Sequence, residues 1–383
     1  MSFLNIIVFI LIIQIYFCEE LSLNLTINYG VYGTNIKFFN INTQELNEQY
    51  VLLNLQEYIT ILCLNPLGGL EPYDSYMIED DDFTPIKILN FKVGLYLDND
   101  KSININIDGS DSSIIKNFET GIALSFPKND LNYSITHQLY NNKQIDHLSF
   151  TLFPGYSQNK ILKQTGKIYF GKPPSNLIKN KLFSRCKISD IDYWTCKGNE
   201  ILIMGHSSNP LSFPINANIS FDTHNGFTYV PKEFIFYLKD TVFKEMYEKQ
   251  LCWDGKHLSQ NGIVCSFKIN MEIFKGIKLS LVIDGFHFES EIQEMFVQYG
   301  ENFIFEFVYY YSWLVNYNWN FGGLFLQRYI TTFDYEEKMI TFYSLNKNNE
   351  TSYITILINL SIVILGFGSF LLIGLNNLIL RKQ

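Results

Sequence analysis

Short segments of apolar or alternating residues recur along most of this 383-residue chain, separated by Gly, Asn and Asp. Segments of roughly five to eight residues with such turn formers between them are typical of β-strands. Aromatic residues make up 16% of the chain, and Phe and Tyr pack well on a pleated surface. The pattern predicts a mostly antiparallel β protein of two lobes. Strands are expected at residues 22–29, 36–41, 49–53, 59–64, 91–97, 102–107, 166–170, 201–204, 219–221, 227–230, 278–283, 303–308 and 339–343.

Three segments favour helices instead, at residues 131–141, 231–250 and 325–330. The second is the most helix-like, because Pro231 begins it and Glu233 lies in its first turn.

The composition narrows the class of protein. Apolar residues make up 47% of the chain and charged residues 17%, which excludes a disordered chain. The length suffices for a large core. The formal net charge is −9, so the chain has no excess of basic side chains that would favour binding to nucleic acid. No nucleic-acid partner is expected.

Both ends of the chain carry apolar segments. Residues 1–18 read as a secretory signal peptide, with an uncleaved anchor as the alternative. Residues 353–380 are long and apolar enough to predict a transmembrane helix. Arg381 and Lys382 follow directly and would hold the tail, residues 381–383, in the cytosol. We therefore expect a single-pass type I membrane protein of the secretory pathway or cell surface, with its body lumenal or extracellular. A cleaved lipid-anchor signal is the competing interpretation.

The cysteines fit an oxidising compartment. Pairs Cys186–Cys196 and Cys252–Cys265 would each close a short loop, worth about 3 kcal/mol on the loop-entropy account. Four cysteines allow three connectivities, so other pairings stay open. Cys63 is left without a partner and could link to another chain. No Cys-x-x-Cys motif or nearby pair of histidines supports a zinc site, and we expect neither a metal nor a cofactor.

Sequons mark candidate glycosylation sites at Asn24, Asn132 and Asn349. A fourth, at Asn218, is expected to be unoccupied because Asp222 follows so closely.

Residues 219–231 (ISFDTHNGFTYVP) carry the most informative local pattern. An apolar run precedes Asp222 and Thr223, which begin a predicted turn, and a second apolar run follows the turn. A lone aspartate at a strand end is most often a turn former, so Asp222 gains functional meaning from the segments around it.

Together these segments resemble the pepsin-like aspartic proteases, in the order of that family. Residues 219–231 resemble its second catalytic loop, and Cys252 and Cys265 match its second-lobe disulfide. The remaining similar segments are residues 119–127 (ETGIALSFP), 148–152 (LSFTL) with 166–171 (GKIYFG), 193–194 (YW) with 201–205 (ILIMG), and 321–329 (FGGLFLQRY) with 333–334 (FD).

The resemblance implies a two-lobed pepsin-like fold in which two carboxylates would share one proton. In the best register, however, Asn54 stands at the first aspartate position, and an amide cannot ionise near neutral pH. Asp108 lies too close to residue 119 to substitute, and Glu57 lies three residues along. In the second loop His224 replaces the family's glycine, which allows close backbone approach. One interpretation of His224 is that it pairs with Asp222 and carries out a different reaction. The simpler interpretation is that the His224 side chain faces solvent.

The predicted organisation is a signal peptide at 1–18, an N-terminal β lobe at 19–128, a connecting hairpin and C-terminal β lobe at 129–345, a transmembrane helix at 353–380 and a cytosolic tail at 381–383. The favoured function is a non-catalytic protein whose inter-lobe cleft binds a peptide or a protein partner. The alternatives are an atypical aspartic endopeptidase using Asp222, and a structural or adhesive surface protein. The sequence does not predict the oligomeric state.

Overall fold

The computed structural model describes residues 21–28, 31–40, 46–55, 61–63, 74–79, 85–96, 102–110, 121–124, 134–155, 163–179, 181–189, 194–257, 260–309 and 319–345. For Asn54 and Cys63 it describes the backbone alone. The predicted signal peptide, the predicted transmembrane segment 353–380, the predicted cytosolic tail, Glu57, Asn132 and Asn349 lie outside these ranges. Residues Met1–Ser344 fall in one compact unit and Leu345–Gln383 in a second, and the findings below concern the first.

Strands dominate the described residues, as the alternating pattern predicts. In chain order they are β1 Leu21–Asn28, β2 Val31–Asn40, β3 Leu46–Asn54, β4 Ile61–Cys63, β5 Asp74–Glu79, β6 Pro85–Tyr96, β7 Ser102–Ser110, β8 Gly121–Ala123, β9 Ser149–Phe153, β10 Lys163–Phe170, β11 Leu182–Lys187, β12 Thr195–Met204, β13 Leu211–Phe221, β14 Thr228–Tyr229, β15 Cys252–His257, β16 Gln260–Ser266, β17 Lys278–Ile283, β18 Phe286–Glu291, β19 Phe296–Tyr299, β20 Asn302–Tyr309, β21 Trp319–Phe321, β22 Tyr329–Asp334 and β23 Met339–Ser344. The helices are α1 Ile135–Asn141, α2 Ser175–Ile178, α3 Lys232–Asp240, α4 Lys244–Glu248 and α5 Gly323–Leu326, with 3₁₀ turns at Met271–Phe274 and Ile292–Met295.

The strands form two sheets. The first has the order β11-β23-β22-β9-β10-β1-β2-β3-β8-β4-β7-β6-β5, and the second has the order β15-β16-β20-β14-β21-β13-β12-β17-β18, with β19 beside β20. Strands β9 to β11, β22 and β23 join the first sheet, chiefly because β1 pairs with β10 along its whole length. The chain therefore leaves the first sheet after β11 and returns to it at β22.

Two of the predicted helices were wrong in extent. The segment 231–250 forms two helices, α3 and α4, because Thr241 leaves helical geometry at φ −108° and ψ −88°. Its hydroxyl donates to the carbonyl of Tyr237 at 2.6 Å. The segment 325–330 is divided as well: α5 ends at Leu326 and Tyr329 begins β22. The β-branched residues Ile330, Thr331 and Thr332 suit that strand, which is paired on both sides.

Aromatic side chains fill the core. Trp194 packs edge-on against Phe333, with ring centroids 5.0 Å apart, and both are almost completely buried. The indole nitrogen of Trp194 and the hydroxyl of Tyr335 each donate to the carbonyl of Leu124 at 2.7 Å. The backbone that follows β8 is thus bonded to side chains from the second half of the chain.

Both predicted disulfides are confirmed. Cys186 in β11 is bonded to Cys196 in β12, so this bridge links the first sheet to the second. Cys252 and Cys265 lie opposite each other in the β15–β16 hairpin, and their bridge fastens that hairpin at its base.

Within the described ranges no helix has the length and apolar character needed to cross a bilayer. The transmembrane helix at 353–380 falls outside those ranges and stays a prediction.

Candidate functional site

The same four-strand unit occurs in both sheets. In the first sheet β3 runs parallel to β8, β8 pairs antiparallel with β4, and β4 runs parallel to β7. In the second sheet β13, β21, β14 and β20 repeat this order with the same directions. The fold therefore contains an internal duplication that can be aligned residue by residue.

The antiparallel pair in each unit sets the alignment. Ile61 faces Gly121 in the first unit, and Tyr229 faces Asn320 in the second. Gly121 in turn pairs with Leu52, and Asn320 pairs with Ser220.

Leu52 and Ser220 are therefore equivalent, and two residues further along the equivalent pair is Asn54 and Asp222. This correspondence comes from strand register and does not depend on any resemblance between sequences.

The Asp222 turn lies against the end of the equivalent strand, β3. The hydroxyl of Thr223 donates to the carbonyl of Leu53 at 2.8 Å, and the carbonyl of Thr223 accepts from the backbone N–H of Tyr32 at 3.0 Å. Thr223 and Tyr32 are fully buried. Because Leu53 directly precedes Asn54 and Thr223 directly follows Asp222, these contacts bring the two strand ends together.

The carboxylate of Asp222 is held by its own turn. It is 3% exposed; Oδ1 accepts from the backbone N–H of His224 at 2.8 Å, and Oδ2 accepts from the side-chain amide of Asn225 at 2.6 Å. The hydroxyl of Tyr229 donates to Oδ1 of Asn225 at 3.2 Å. Hydrogen bonds to a charged group contribute about 1.5–3 kcal/mol each, so this chain of contacts fixes the orientation of the carboxylate.

The sequence did not single out Asn225. The available signal is its position three residues after Asp222, a spacing at which a side-chain amide in a turn can reach back to a carboxylate.

His224 contributes its backbone N–H to this arrangement, which a residue of almost any type could supply. Its side chain has intermediate exposure, and it is not among the described residues with left-handed backbone geometry. A histidine therefore fits this position without the backbone strain that a positive φ would impose.

Close backbone packing holds the Asp222 turn from the other side. The backbone N–H groups of Gly323 and Leu324 donate to the carbonyls of Asn225 and Gly226 at 2.8 and 2.9 Å. A Cβ atom at Gly322 would lie 2.2 Å from the carbonyl oxygen of Phe227. The glycine at position 322 is thus explained by this close approach.

A buried ion pair lies on the strand next to β14. Nη1 of Arg328 donates to Oε1 of Glu306 at 3.0 Å, Nη2 contacts Oε2, and the hydroxyl of Thr228 lies 3.4 Å from Oε1. Burial disfavours the charged guanidinium, but the attraction of Glu306 outweighs it, and the pKa of Arg328 is raised. The pair joins β14, β20 and the segment after α5. Sequence reasoning missed Glu306, although it is the lone charge in the apolar run of β20.

The remaining predicted site residues are spread over the fold. Asn24 on β1 and Asn218 on β13 are exposed, and the backbone of Cys63 pairs with Ser110. Within the described parts of the chain, no group of three His, Cys, Asp or Glu side chains could hold a metal ion.

The two sheets and the duplicated four-strand units, in contact at their strand ends, form a mostly β fold of two sheets. The solved crystal structure of basic 7S globulin from soybean, a protein with the pepsin-like aspartic protease fold, matches this fold with a TM-score of 0.64 and 14% sequence identity over 85% of this chain and 95% of that chain. At that identity the likeness shows the fold alone. No protein-family model matches the sequence, and no curated protein matches it either.

Proposed function

We propose that this protein is a membrane-anchored, non-catalytic member of the pepsin-like fold class, and that the cleft between its lobes binds a peptide or a segment of a protein partner. One observation carries the proposal: the residue equivalent to Asp222 in the duplicated unit is Asn54.

Aspartate and asparagine can both bind a peptide through hydrogen bonds, but hydrolysis by this fold requires two acids. An acid pair works by sharing one proton, so that one group activates water while the other protonates the product. An asparagine amide neither gains nor loses a proton near neutral pH, but it donates and accepts hydrogen bonds. A carboxylate beside an amide can therefore bind the N–H and C=O groups of an extended peptide without cleaving it.

A second candidate function is that of an atypical aspartic endopeptidase. The hydrogen bonds that orient the Asp222 carboxylate favour it. This carboxylate is buried, oriented by two hydrogen bonds and braced by the Thr223–Leu53 contact. This function requires a second acid within hydrogen-bonding reach of Asp222, and it predicts inhibition by a statine-type mimic of the transition state.

Membrane anchoring is supported by the apolar segment 353–380 and the basic residues after it. The two disulfides favour an oxidising compartment, as expected for a lumenal or extracellular body.

Peptide selection on the intact protein in detergent tests the binding proposal. Peptides enriched on the wild type should bind the Asp222→Asn variant at least about tenfold more weakly, a loss of about 1.4 kcal/mol. Asp284→Asn is the matched control, because it makes the same chemical change at an exposed turn with left-handed geometry that asparagine accepts. Equal binding by all three proteins would place the peptide elsewhere and refute the cleft as its site.

A further inference from the structure

An exposed apolar surface lies where two edge strands meet. Strand β11 ends the first sheet and β18 ends the second. Leu182 and Phe183 on β11 are 62% and 38% exposed, and Phe286 on β18 is 42% exposed. The ring of Phe183 contacts that of Phe288 at a centroid distance of 5.2 Å. Phe286 and Phe288 point to the same face of β18, so Phe183 and Phe286 lie on the same side of this junction. We call these two side chains, with the neighbouring exposed Leu182, the edge surface.

The strand pairing is interrupted at Phe183, whose ring packs partly on Phe288 and Tyr329 and stays 38% exposed. Pairing between β11 and β23 shifts between Leu182 and Ser184, so Phe183 is the extra residue of a bulge. Bulges are common on edge strands, where they interrupt pairing and redirect a side chain. A bulged edge strand is poorly suited to pairing with a further strand. Strand addition therefore does not explain why these apolar side chains are exposed.

Basic residues flank the β11 side of this surface, while the exposed Asp284 lies two positions before Phe286 on the other side. The segment 179–187 reads KNKLFSRCK and contains four cationic side chains and no carboxylate, in a chain whose formal net charge is −9. Lys179, Arg185 and Lys187 are exposed. The acidic neighbour Glu289 on β18 forms an ion pair with Lys278 at 3.1 Å. Exposed Leu and Phe flanked by Lys and Arg is the side-chain composition that binds at the surface of a phospholipid bilayer.

The chain also leaves the compact unit at this surface. Ser344, the last residue of β23, donates its backbone N–H to the carbonyl of Lys181 at 2.7 Å, and Tyr343 pairs with Leu182. Eight residues, 345–352, separate Ser344 from the predicted membrane segment 353–380. Fully extended, eight residues reach at most about 28 Å, so insertion of residues 353–380 would keep the edge surface within that distance of the bilayer.

We infer that the edge surface, Leu182, Phe183 and Phe286 with the basic residues of segment 179–187, docks on the phospholipid headgroup layer and inserts its apolar side chains into the outer part of the bilayer. This inference deepens the proposed membrane anchoring and rests on it for the chain-length argument. The exposed apolar and basic side chains support it independently.

Quenching by brominated lipid tests the inference. Phe183→Trp and Leu182→Trp are prepared in the full chain and reconstituted into phosphatidylcholine–phosphatidylserine vesicles with brominated acyl chains. We expect the added tryptophan emission to fall at least about twofold relative to non-brominated vesicles, as for a side chain at the headgroup–acyl boundary. Phe267→Trp is the control, because Phe267 is 51% exposed and follows β16, towards the opposite edge of the second sheet. The emission added by a tryptophan at position 267 should be the same in brominated and non-brominated vesicles.

The possible outcomes distinguish docking of the edge surface from anchoring by residues 353–380. Extraction of the chain by alkaline buffer would refute the anchor, and quenching by externally added vesicles would still support the edge surface. An integral chain with no quenching at position 183 or 182 would overturn the edge surface while leaving the anchor intact. Emission that depends on protein concentration, and not on lipid, would assign the surface to a second copy of the chain and would also overturn the inference.

Discussion

The hydroxyl of Thr223 donates a hydrogen bond to the carbonyl of Leu53, 2.8 Å away and 170 positions earlier in the chain. The two residues belong to the two copies of a duplicated four-strand unit, one in each sheet. This contact places the turn after Asp222 against the strand end that carries Asn54.

Removal of that hydroxyl should destabilise the fold. Thr223→Val keeps the shape of the side chain but leaves the buried Leu53 carbonyl without this donor, at an expected cost of about 1–3 kcal/mol. Urea unfolding of the intact protein measures the loss. Thr165→Val is the control, because Thr165 is exposed and its replacement should have little effect. Equal stability of the two variants would show that the contact contributes nothing.

The amide of Asn225 should stabilise the Asp222 turn. In Asn225→Asp a carboxylate replaces the amide that donates to Oδ2 of Asp222 at 2.6 Å, so the hydrogen bond is lost and like charges repel. The variant should be less stable at neutral pH than both the wild type and Asn225→Ala.

Asn225→Ala supplies the comparison, since it removes the hydrogen bond without adding a charge. Thermal unfolding at neutral pH measures both variants, and the midpoint of Asn225→Asp should be the lower of the two. A midpoint of Asn225→Asp equal to or above that of Asn225→Ala would contradict the contact between residues 222 and 225.

The Glu306–Arg328 pair should respond strongly to single substitution. Glu306→Gln leaves a buried guanidinium without its counter-charge, and breaking a buried pair in this way costs about 3–5 kcal/mol. Glu306→Leu with Arg328→Met removes both charges and should recover much of that loss. Free energies of unfolding in urea test both statements. A single variant as stable as the double would show that the charges do not interact.

Burial of His137 should make stability depend on pH. The ring packs edge-on against Tyr335 at 4.6 Å, and burial lowers its pKa from 6.5 to about 4. Because the unfolded chain then binds the proton more readily, stability is complete above pH 6.5 and declines as the pH falls towards 4. The loss should approach at most about 3 kcal/mol.

His137→Gln should flatten this part of the stability–pH curve, measured by urea unfolding between pH 7 and 4.5. His206→Gln should leave the curve unchanged, because His206 is exposed. A wild-type curve retained in His137→Gln would assign the pH dependence to other groups.

Strand positions could be predicted largely from local pattern. The segment predicted at 22–29 is β1, Leu21–Asn28, whose apolar residues alternate into the core. Mixed segments gave no such signal: β11 reads LFSRCK, and four of its six side chains are charged or are exposed apolar groups. The break at Thr241 shows only in its backbone dihedral angles, which the apolar periodicity does not reveal.

The site was less accessible to sequence reasoning because its contacts join distant positions. The equivalence of Asn54 and Asp222 rests on parallel partners, β8 and β21, that lie about 70 and 100 residues further along the chain. Glu306 is predicted to be exposed unless Arg328 is known to lie beside it. Only the resemblance to pepsin-like proteases suggested Asn54, and it did so without identifying Asn225.

The most direct test of the central claim is an assay of the intact wild-type protein on a broad peptide library between pH 3 and 6, with Asp222→Asn as the comparison. We predict that neither protein cleaves peptides, because Asn54 cannot share a proton with Asp222. Cleavage by the wild type that Asp222→Asn abolishes would contradict the account and establish the protein as an aspartic endopeptidase.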